Sequence, residues 1–249
     1  MSDSRIVVGH EELARFIRDA LVAKGASATD AADVADGLVW ANLRGVDGHG
    51  VARVSSYLTL IERGEIDPKA RPRLIQDRGA MFVLDGGFGF GPPAMMQAIA
   101  IATERARTLG VGFGLVRETT HTGAVGRYVQ RMAQQGCAAL IMVSGPAFVA
   151  YHGARVASMG TSPIAIAVPS GSGPIVLDMA TSTISNGTII QARANGTALP
   201  AGAVLTAAGK PTTDPRHADI LLPLGGPKGS GLALMFEILA SVLAAAPIQ

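Results

Sequence analysis

Hydrophobic residues in the first sixty or so positions recur every three to four residues between glycines, which is the spacing of amphipathic helices. The pattern predicts helices over Glu11–Lys24, Thr29–Leu43 and His49–Gly64. Thr29 is the predicted N-cap of the second helix, because its hydroxyl can accept a hydrogen bond from an unpaired backbone N–H. The chain is therefore predicted to begin with a helical region.

From about residue 73 the hydrophobic pattern changes to short β-type runs that alternate with helical stretches. Strands are predicted at residues 80–85, 111–117 and 138–143. Helices are predicted at residues 92–109 and 123–135, the first of them opening with proline. This alternation predicts a sheet-containing middle region.

Two further apolar runs, Pro163–Pro169 and Pro174–Asp178, are separated by only Ser-Gly-Ser-Gly. That connection is long enough for a hairpin and too short for a parallel crossover, so part of the sheet is predicted to be antiparallel. The last apolar run starts at Gly231 and predicts a buried helix. It carries Glu237 and is too short, as an uninterrupted apolar run, to predict a membrane span.

Composition then narrows the classes of function. The 249 residues include 21 basic and 19 acidic side chains, a net charge of +2, without the basic block that a nucleic-acid groove needs. The single cysteine, Cys137, excludes an intrachain disulfide and a cysteine-cluster metal site. The N-terminus lacks the profile of a signal peptide. We expect a cytoplasmic globular enzyme with no metal, no nucleic-acid partner and no membrane attachment.

Three polar residues of the third predicted helix, His49, Arg53 and Tyr57, fall at i, i+4 and i+8 and would share one face. Arginine offers a two-pronged donor for a carboxylate, and histidine and tyrosine can donate beside it. The alternative is an ordinary solvated helix face. Spacing alone leaves both interpretations open.

His121 follows a predicted strand in the stretch Glu118–Ala124. Loop histidines at strand ends are well placed for proton transfer, although a surface or structural histidine is the commoner case. A glycine-rich turn at residues 225–231 contains Lys228 and could bind an anion, or could be a flexible turn. The glycines of Asp85–Pro92 fit no frame of the Rossmann dinucleotide fingerprint.

Six motifs in order resemble the malate/L-lactate dehydrogenase family that is distinct from the Rossmann dehydrogenases and includes ureidoglycolate, sulfolactate and related 2-oxo-acid enzymes. The resemblance implies an α/β fold with a non-Rossmann, mixed and largely antiparallel NAD(P)-binding sheet and an N-terminal helical domain. It also implies a homodimer. The motifs are ANLRGVDGHG (residues 41–50, with Arg53 and Tyr57 following), THTGA (120–124), GTSPIA (160–165), LDMATS (177–182), PTTDP (211–215) and LGGPKG (224–229).

The resemblance also assigns roles to residues. It implies that His121 is the catalytic proton donor or acceptor, and that NAD or NADP is the cofactor. The substrate would be a small 2-hydroxy or 2-oxo carboxylate such as malate, lactate or ureidoglycolate. The implied substrate-binding residues are His49, Arg53 and Tyr57, and the implied cofactor-binding residues are Ser144, Asp178, Met179, Ala180 and Lys228.

Three regions are predicted: residues 1–72 as a helical substrate and dimer domain, 73–228 as the NAD(P)-binding domain, and 229–249 as a helix packing back on the N-terminal part. Members of the family usually continue further, so a fragment, a shortened homologue and an inactive homologue stay open. Two alternatives to a dehydrogenase also stay open. One is a truncated non-catalytic relative, and the other is a histidine-dependent hydrolase or lyase acting on a small carboxylate.

Overall fold

The computed structural model describes residues 7–245, and its N-terminal region is helical as predicted. Helix α1 is His10–Ala23 and helix α2 is Ala28–Asn42. The predicted cap of α2 is wrong by two positions, because the Ser27 hydroxyl accepts the hydrogen bond from Asp30 N at 3.1 Å. Thr29 lies inside the first turn of the helix.

The predicted third helix is interrupted. Two 3₁₀ turns, Asp47–His49 and Val51–Arg53, precede helix α3, which begins only at Val54 and ends at Glu62. Gly50 between the turns has extended backbone, with φ −95° and ψ −154°, and so stops the helical hydrogen-bond ladder. The prediction that His49, Arg53 and Tyr57 share one helical face is therefore wrong.

The helical region has its own hydrophobic core. Helices α1 and α2 pack against each other, and α3 contributes Val54 and Tyr57 to the same core. Phe90, which lies between the first sheet and its following helix in the chain, is also buried in this core. The side chains buried in this core with at most 1% exposure are Ile17, Leu21, Ala31, Val34, Ala35, Leu38 and Ile66.

The first sheet contains a β–α–β unit. Strand β2, Met81–Gly89, pairs in parallel with strand β3, Phe113–Thr119, and helix α4, Gly91–Leu109, connects them. The predictions for residues 80–85, 92–109 and 111–117 are confirmed, with ends shifted by a few residues. Strand β1, Arg73–Arg78, pairs antiparallel with β2 at the edge and was missed, because all six of its residues are exposed.

The second sheet carries the predicted hairpin. Strand β4 is Ala139–Met142, and the antiparallel strands β7 (Ile164–Val168) and β8 (Ile175–Met179) confirm the prediction from the four-residue connection. Helix α5, Gly126–Gln134, packs on β7 and begins three residues later than predicted.

The third sheet consists of very short strands that the hydrophobic pattern does not reveal. The strands are β5 Val149–Ala150, β6 Ala157–Met159, β9 Val204–Leu205, β10 Pro211–Thr212 and β11 Ile220–Leu221, and helix α6 is Asn186–Asn195. The strands have the order β10-β9-β11-β5-β6, in which β11 and β5 pair in parallel and the other described pairs are antiparallel. Over residues 7–245 most strand pairings are antiparallel, which confirms the mixed, largely antiparallel α/β prediction, although in three sheets.

The last helix, α7, spans Pro227–Glu237 and continues as a π-helical segment, Ile238–Val242. It starts four residues before the predicted Gly231, and it is only partly buried, since Met235 is 52% exposed. Residues 246–249 of the predicted C-terminal region lie outside the described residues. No helix between residues 7 and 245 combines the length and apolarity that crossing a membrane requires. The division at residues 72 and 228 remains a prediction.

Candidate active site

His121 lies just beyond the end of β3, in the loop that leads to α5. Its neighbour Thr120 fixes the loop to the end of β2, because both its backbone N–H and its hydroxyl donate to Gly89 O, at 3.3 and 2.9 Å. The imidazole is half-buried. The loop that carries His121 is thus fixed to the sheet by the hydrogen bonds of the preceding residue.

The glycines of the run at residues 86–91 permit this placement. A Cβ atom on Gly91 would lie within 2.7 Å of the Thr120 carbonyl oxygen and of the His121 backbone. On Gly86 it would lie 2.9 Å from Glu118 O. The glycines therefore let the backbone of residues 86–91 approach that of residues 118–121 closely. The spacing rules for dinucleotide-binding loops do not predict this role.

Three side chains from distant segments meet at this position. Tyr57 Oη lies 2.6 Å from His121 Nδ1, and His49 Nδ1 lies 3.0 Å from His121 Nε2. The two imidazole planes are parallel within 1°, with ring centroids 5.0 Å apart. The structure thus brings together His49, Tyr57 and His121, although not by the helical face that the spacing predicted.

The surroundings keep both imidazoles neutral. Burial lowers the pKa of His121, and His49 and Arg53 lower it further. Burial, followed by the charge of Arg53, lowers the pKa of His49. Burial also raises the pKa of the Tyr57 hydroxyl well above its ordinary range. All three groups are uncharged at neutral pH and can exchange a proton along their hydrogen bonds.

Arg53 supplies the positive charge of the cluster. Its Nε donates to Gly48 O at 2.7 Å, and the side chain is half-buried. Within residues 7–245 no carboxylate forms an ion pair with this guanidinium. An unpaired, partly desolvated arginine next to a neutral histidine is suited to binding an anionic group through its remaining N–H donors.

A second group of predicted residues lies where β8 ends. Asp178 Oδ2 accepts a hydrogen bond from Gly126 N at 2.7 Å, which ties β8 to the start of α5, five residues after His121. Burial raises the pKa of Asp178, and the hydrogen bond from Gly126 opposes this. Met179 and Ala180 follow and are half-buried. These residues therefore connect directly to the segment that carries His121.

Lys228 lies in the first turn of α7 and is exposed. Most backbone N–H groups of the glycine-rich turn around it are already engaged, because Gly226 N, Gly229 N and Ser230 N donate to the carbonyl oxygens of Pro223, Leu224 and Gly226. Leu224 N in turn donates to Thr181 O, which places the turn beside the Asp178–Ala180 run. An anion at this position would be held by the lysine ammonium.

Ser144 follows β4, and its hydroxyl lies 2.6 Å from that of Ser241 in the π-helical segment. The residues predicted to bind a dinucleotide thus lie after β4, at the end of β8 and in the first turn of α7. Asp178 and Lys228 are exposed, whereas Ser144, Met179 and Ala180 are half-buried. The structure describes no group of three or more His, Cys, Asp or Glu side chains between residues 7 and 245 that could hold a metal ion.

Comparison with known proteins places these observations in a family. Residues 8–249 match the sequence model of the family described as malate/L-lactate dehydrogenase. The L-sulfolactate dehydrogenase of Methanocaldococcus jannaschii is 34% identical over 239 residues, covering 95% of this chain and 70% of that protein. The malate dehydrogenase of Pyrococcus abyssi is 34% identical over 253 residues, covering 98% and 70%.

Solved structures give the same result. The crystal structure of the Δ1-piperideine-2-carboxylate reductase from Pseudomonas syringae pv. tomato superimposes with a TM-score of 0.92 and 35% identity. The match covers 98% of this chain and 75% of that one. The agreement in sequence and in fold therefore extends over nearly the whole of the present chain.

Proposed function

The chain belongs to the malate/L-lactate dehydrogenase family, and we propose that it transfers a hydride between NAD or NADP and a small 2-hydroxy or 2-oxo carboxylate. Its relatives are oxidoreductases whose names specify small carboxylates: sulfolactate, malate, lactate and piperideine carboxylate. The observation that carries the proposal is the hydrogen-bonded cluster of His121, Tyr57 and His49 beside Arg53, whose guanidinium forms no ion pair with a carboxylate of residues 7–245.

Arg53 binds the substrate carboxylate in this proposal. Its Nε is engaged by Gly48 O, so the outer guanidinium nitrogens are the donors that remain for an anion. An anion on Arg53 would also offset the positive charge that lowers the pKa of His121. Substrate binding would therefore make His121 a stronger base when a proton has to be removed.

His121 moves the proton. In the oxidation direction its neutral ring accepts the proton of the substrate hydroxyl, and in reduction the protonated ring returns it to the new alkoxide oxygen. Because Tyr57 and His49 engage both ring nitrogens, we place the substrate hydroxyl at Nε2, between His121 and His49. His49 Nδ1 then exchanges its contact with His121 for one with the substrate oxygen, so its position still matters in the complex. Tyr57 holds the ring in orientation through Nδ1.

A bound nicotinamide dinucleotide would supply the hydride chemistry of this reaction, which the side chains cannot provide. The residues proposed to hold the dinucleotide are Ser144, Asp178, Met179, Ala180 and Lys228. Two of these residues support the assignment by their chemistry. Lys228 offers an exposed ammonium for a phosphate group, and the carboxylate of Asp178 is hydrogen-bonded to the segment that follows His121. NAD and NADP are not distinguished by these groups.

We further propose a cytoplasmic homodimer. The edge strand β8 exposes Ile175 and Leu177, at 65% and 46%, and a second copy could cover such a strand. A single cysteine, Cys137, is compatible with a reducing compartment. Analytical ultracentrifugation of the protein tests the dimer, and a monomer at micromolar concentration would contradict it.

A panel assay tests the proposed reaction. Pyruvate, oxaloacetate, sulfopyruvate, ureidoglycolate and Δ1-piperideine-2-carboxylate should each be tried with both cofactors, in the direction of reduction or oxidation that applies, while nicotinamide absorbance is followed. The proposal predicts turnover of at least one compound with one cofactor. Conversion without any nicotinamide would instead favour a hydrolase or lyase. A folded protein that binds neither NADH nor NADPH would favour a non-catalytic relative.

A further inference from the structure

The side chain of Asn42, the last residue of α2, bridges the two 3₁₀ turns, the first of which ends at His49. Asn42 Nδ2 donates to Asp47 Oδ1 at 2.6 Å, and Asn42 Oδ1 accepts from Val51 N at 2.8 Å. The two partners lie on either side of His49 in the chain. One amide therefore fixes both ends of the segment that carries the imidazole.

Gly50 covers this amide. A Cβ atom at position 50 would lie within 2.6 Å of the side-chain carbon, oxygen and nitrogen of Asn42. The backbone thus passes directly over the amide, and only glycine permits the approach. The same contact accounts for the interruption of the helix that the sequence predicts here, since the Val51 N–H donates to Asn42 and not to a helical carbonyl.

A second helix supports the same segment from another side. Gly48 meets Gly187 of α6 so closely that a Cβ on Gly48 would lie 2.9 Å from Gly187 Cα. Gln191 Nε2 of α6 also donates to Asp47 Oδ2 at 3.3 Å. Asp47 therefore accepts from both helices, and the Asn42–Asp47 bond is the shorter of its two contacts.

We propose that Asn42, through Asp47, is a positioning residue that holds His49 in hydrogen-bond distance of His121. The inference rests on the proposed function of the His121 cluster, and the hydrogen bonds described for the Asn42 side chain go to Asp47 and Val51 and not to the cluster itself. The 3.0 Å contact between His49 and His121 tolerates little displacement, because a hydrogen bond is lost within about 0.5 Å beyond this distance. Displacing a catalytic group by about 1 Å costs on the order of 100-fold in rate.

An exchange of the two side chains tests the proposal. Asn42→Asp keeps an acceptor for Val51 N but places a second carboxylate against Asp47, and we expect a loss of about 10- to 100-fold in kcat. The double variant Asn42→Asp/Asp47→Asn restores a donor and an acceptor with their positions reversed, and should return kcat to within about threefold of the original enzyme. Asp47→Asn alone should have little effect, since the oxygen of a rotated amide can accept from Asn42, and the exposed Gln191 can turn its own amide to accept from the new NH2 group.

Asn195→Asp is the matched control, because Asn195 also ends a helix, is exposed, and makes no side-chain hydrogen bond that the structure describes. Thermal unfolding of every variant separates a loss of folding from a loss of position. A loss of kcat that persists unchanged in the double variant would overturn the proposal, and so would full activity of Asn42→Asp.

A spectroscopic readout keeps the test independent of turnover. The chain has five histidines, so ¹⁵N-detected NMR of the imidazoles can follow His49 and His121 individually. Asn42→Asp should abolish the signals of their mutual hydrogen bond, and the double variant should restore them. Unchanged signals in Asn42→Asp would contradict the inference even if the enzyme had no measurable dehydrogenase activity, whereas inactivity with the expected NMR changes would count against the proposed function alone.

Discussion

The two halves of the candidate site differ in how far the protein has already organised them. In the proton-transfer half, His121, His49 and Tyr57 are joined by hydrogen bonds and are half-buried or buried. In the proposed cofactor half, Lys228 is exposed and β8 presents most of its length to solvent. The first half is arranged by the chain alone, and the second offers groups that a ligand has still to bring together.

This difference separates two kinds of mutational effect. Changes in the His121 cluster should act on turnover, because preorganised groups contribute most in the transition state. Changes around Lys228 should act on cofactor affinity and leave turnover nearly constant, because an exposed charge contributes equally to ground and transition states. Single substitutions can test whether effects on turnover and effects on cofactor affinity separate in this way.

The largest effect is expected for His121→Gln. Glutamine keeps hydrogen-bonding capacity but cannot take up a proton, so kcat should fall by about two to four orders of magnitude. His217→Gln, at an exposed turn, is the matched control and should be neutral. Steady-state kinetics with saturating cofactor measures both. If kcat of His121→Gln stays within a few-fold of the original value, His121 is not the proton-transfer residue.

Arg53→Gln should rank second. The lost charge-assisted contact to a carboxylate corresponds to about 1.5 to 3 kcal/mol, so kcat/KM for the carboxylate substrate should fall by about 10- to 100-fold. The exposed Arg63, at the end of α3, offers the control variant Arg63→Gln. If both arginine variants behave alike in the same assay, Arg53 does not bind the substrate.

Lys228→Gln should have a smaller effect, confined to the cofactor. Losing an exposed charge on a phosphate should raise the KM for the dinucleotide about 10-fold or less, with kcat within twofold. Lys210→Gln, another exposed lysine, serves for comparison. A fall in kcat as large as that of His121→Gln would mean that the two halves are not distinct.

The prediction that bears least on the contrast between the two halves concerns pH and stability. Burial is the main cause of the low pKa values of His49 and His121, which in an unfolded chain would be about 6.5. Below that pH the unfolded state binds more protons, so the free energy of unfolding should decrease as pH falls, by up to about 1.4 kcal/mol per pH unit for each of the two histidines, until the native imidazoles themselves protonate. Above pH 6.5 the pair adds no pH dependence.

Urea unfolding at several pH values measures this slope. The double variant His49→Gln/His121→Gln should show a weaker acid dependence than the original protein, since glutamine does not titrate. An identical slope would indicate that the two histidines are not desolvated in the folded state.

The sequence predicts those helices and strands whose formation depends mainly on neighbouring residues. Helices α1 and α2 and the β7–β8 hairpin follow from periodicity and connection length, and His121 was placed correctly after a strand. The break at Gly50 was missed because it depends on the Asn42 amide beneath it. The bond between His49 and His121 joins residues 72 positions apart, and no local rule encodes such a contact. The two-residue strands of the third sheet are too short to show alternation.

The most direct test of the proposed reaction follows the hydride itself. A 2-hydroxy acid that the panel assay identifies should be prepared with deuterium at C2 and incubated with the oxidised cofactor. Mass spectrometry of the cofactor should then find the deuterium in the reduced nicotinamide, and His121→Gln should slow its appearance by at least 100-fold. Product formed with the deuterium appearing in water, or with no change in the nicotinamide, would contradict a hydride-transferring dehydrogenase.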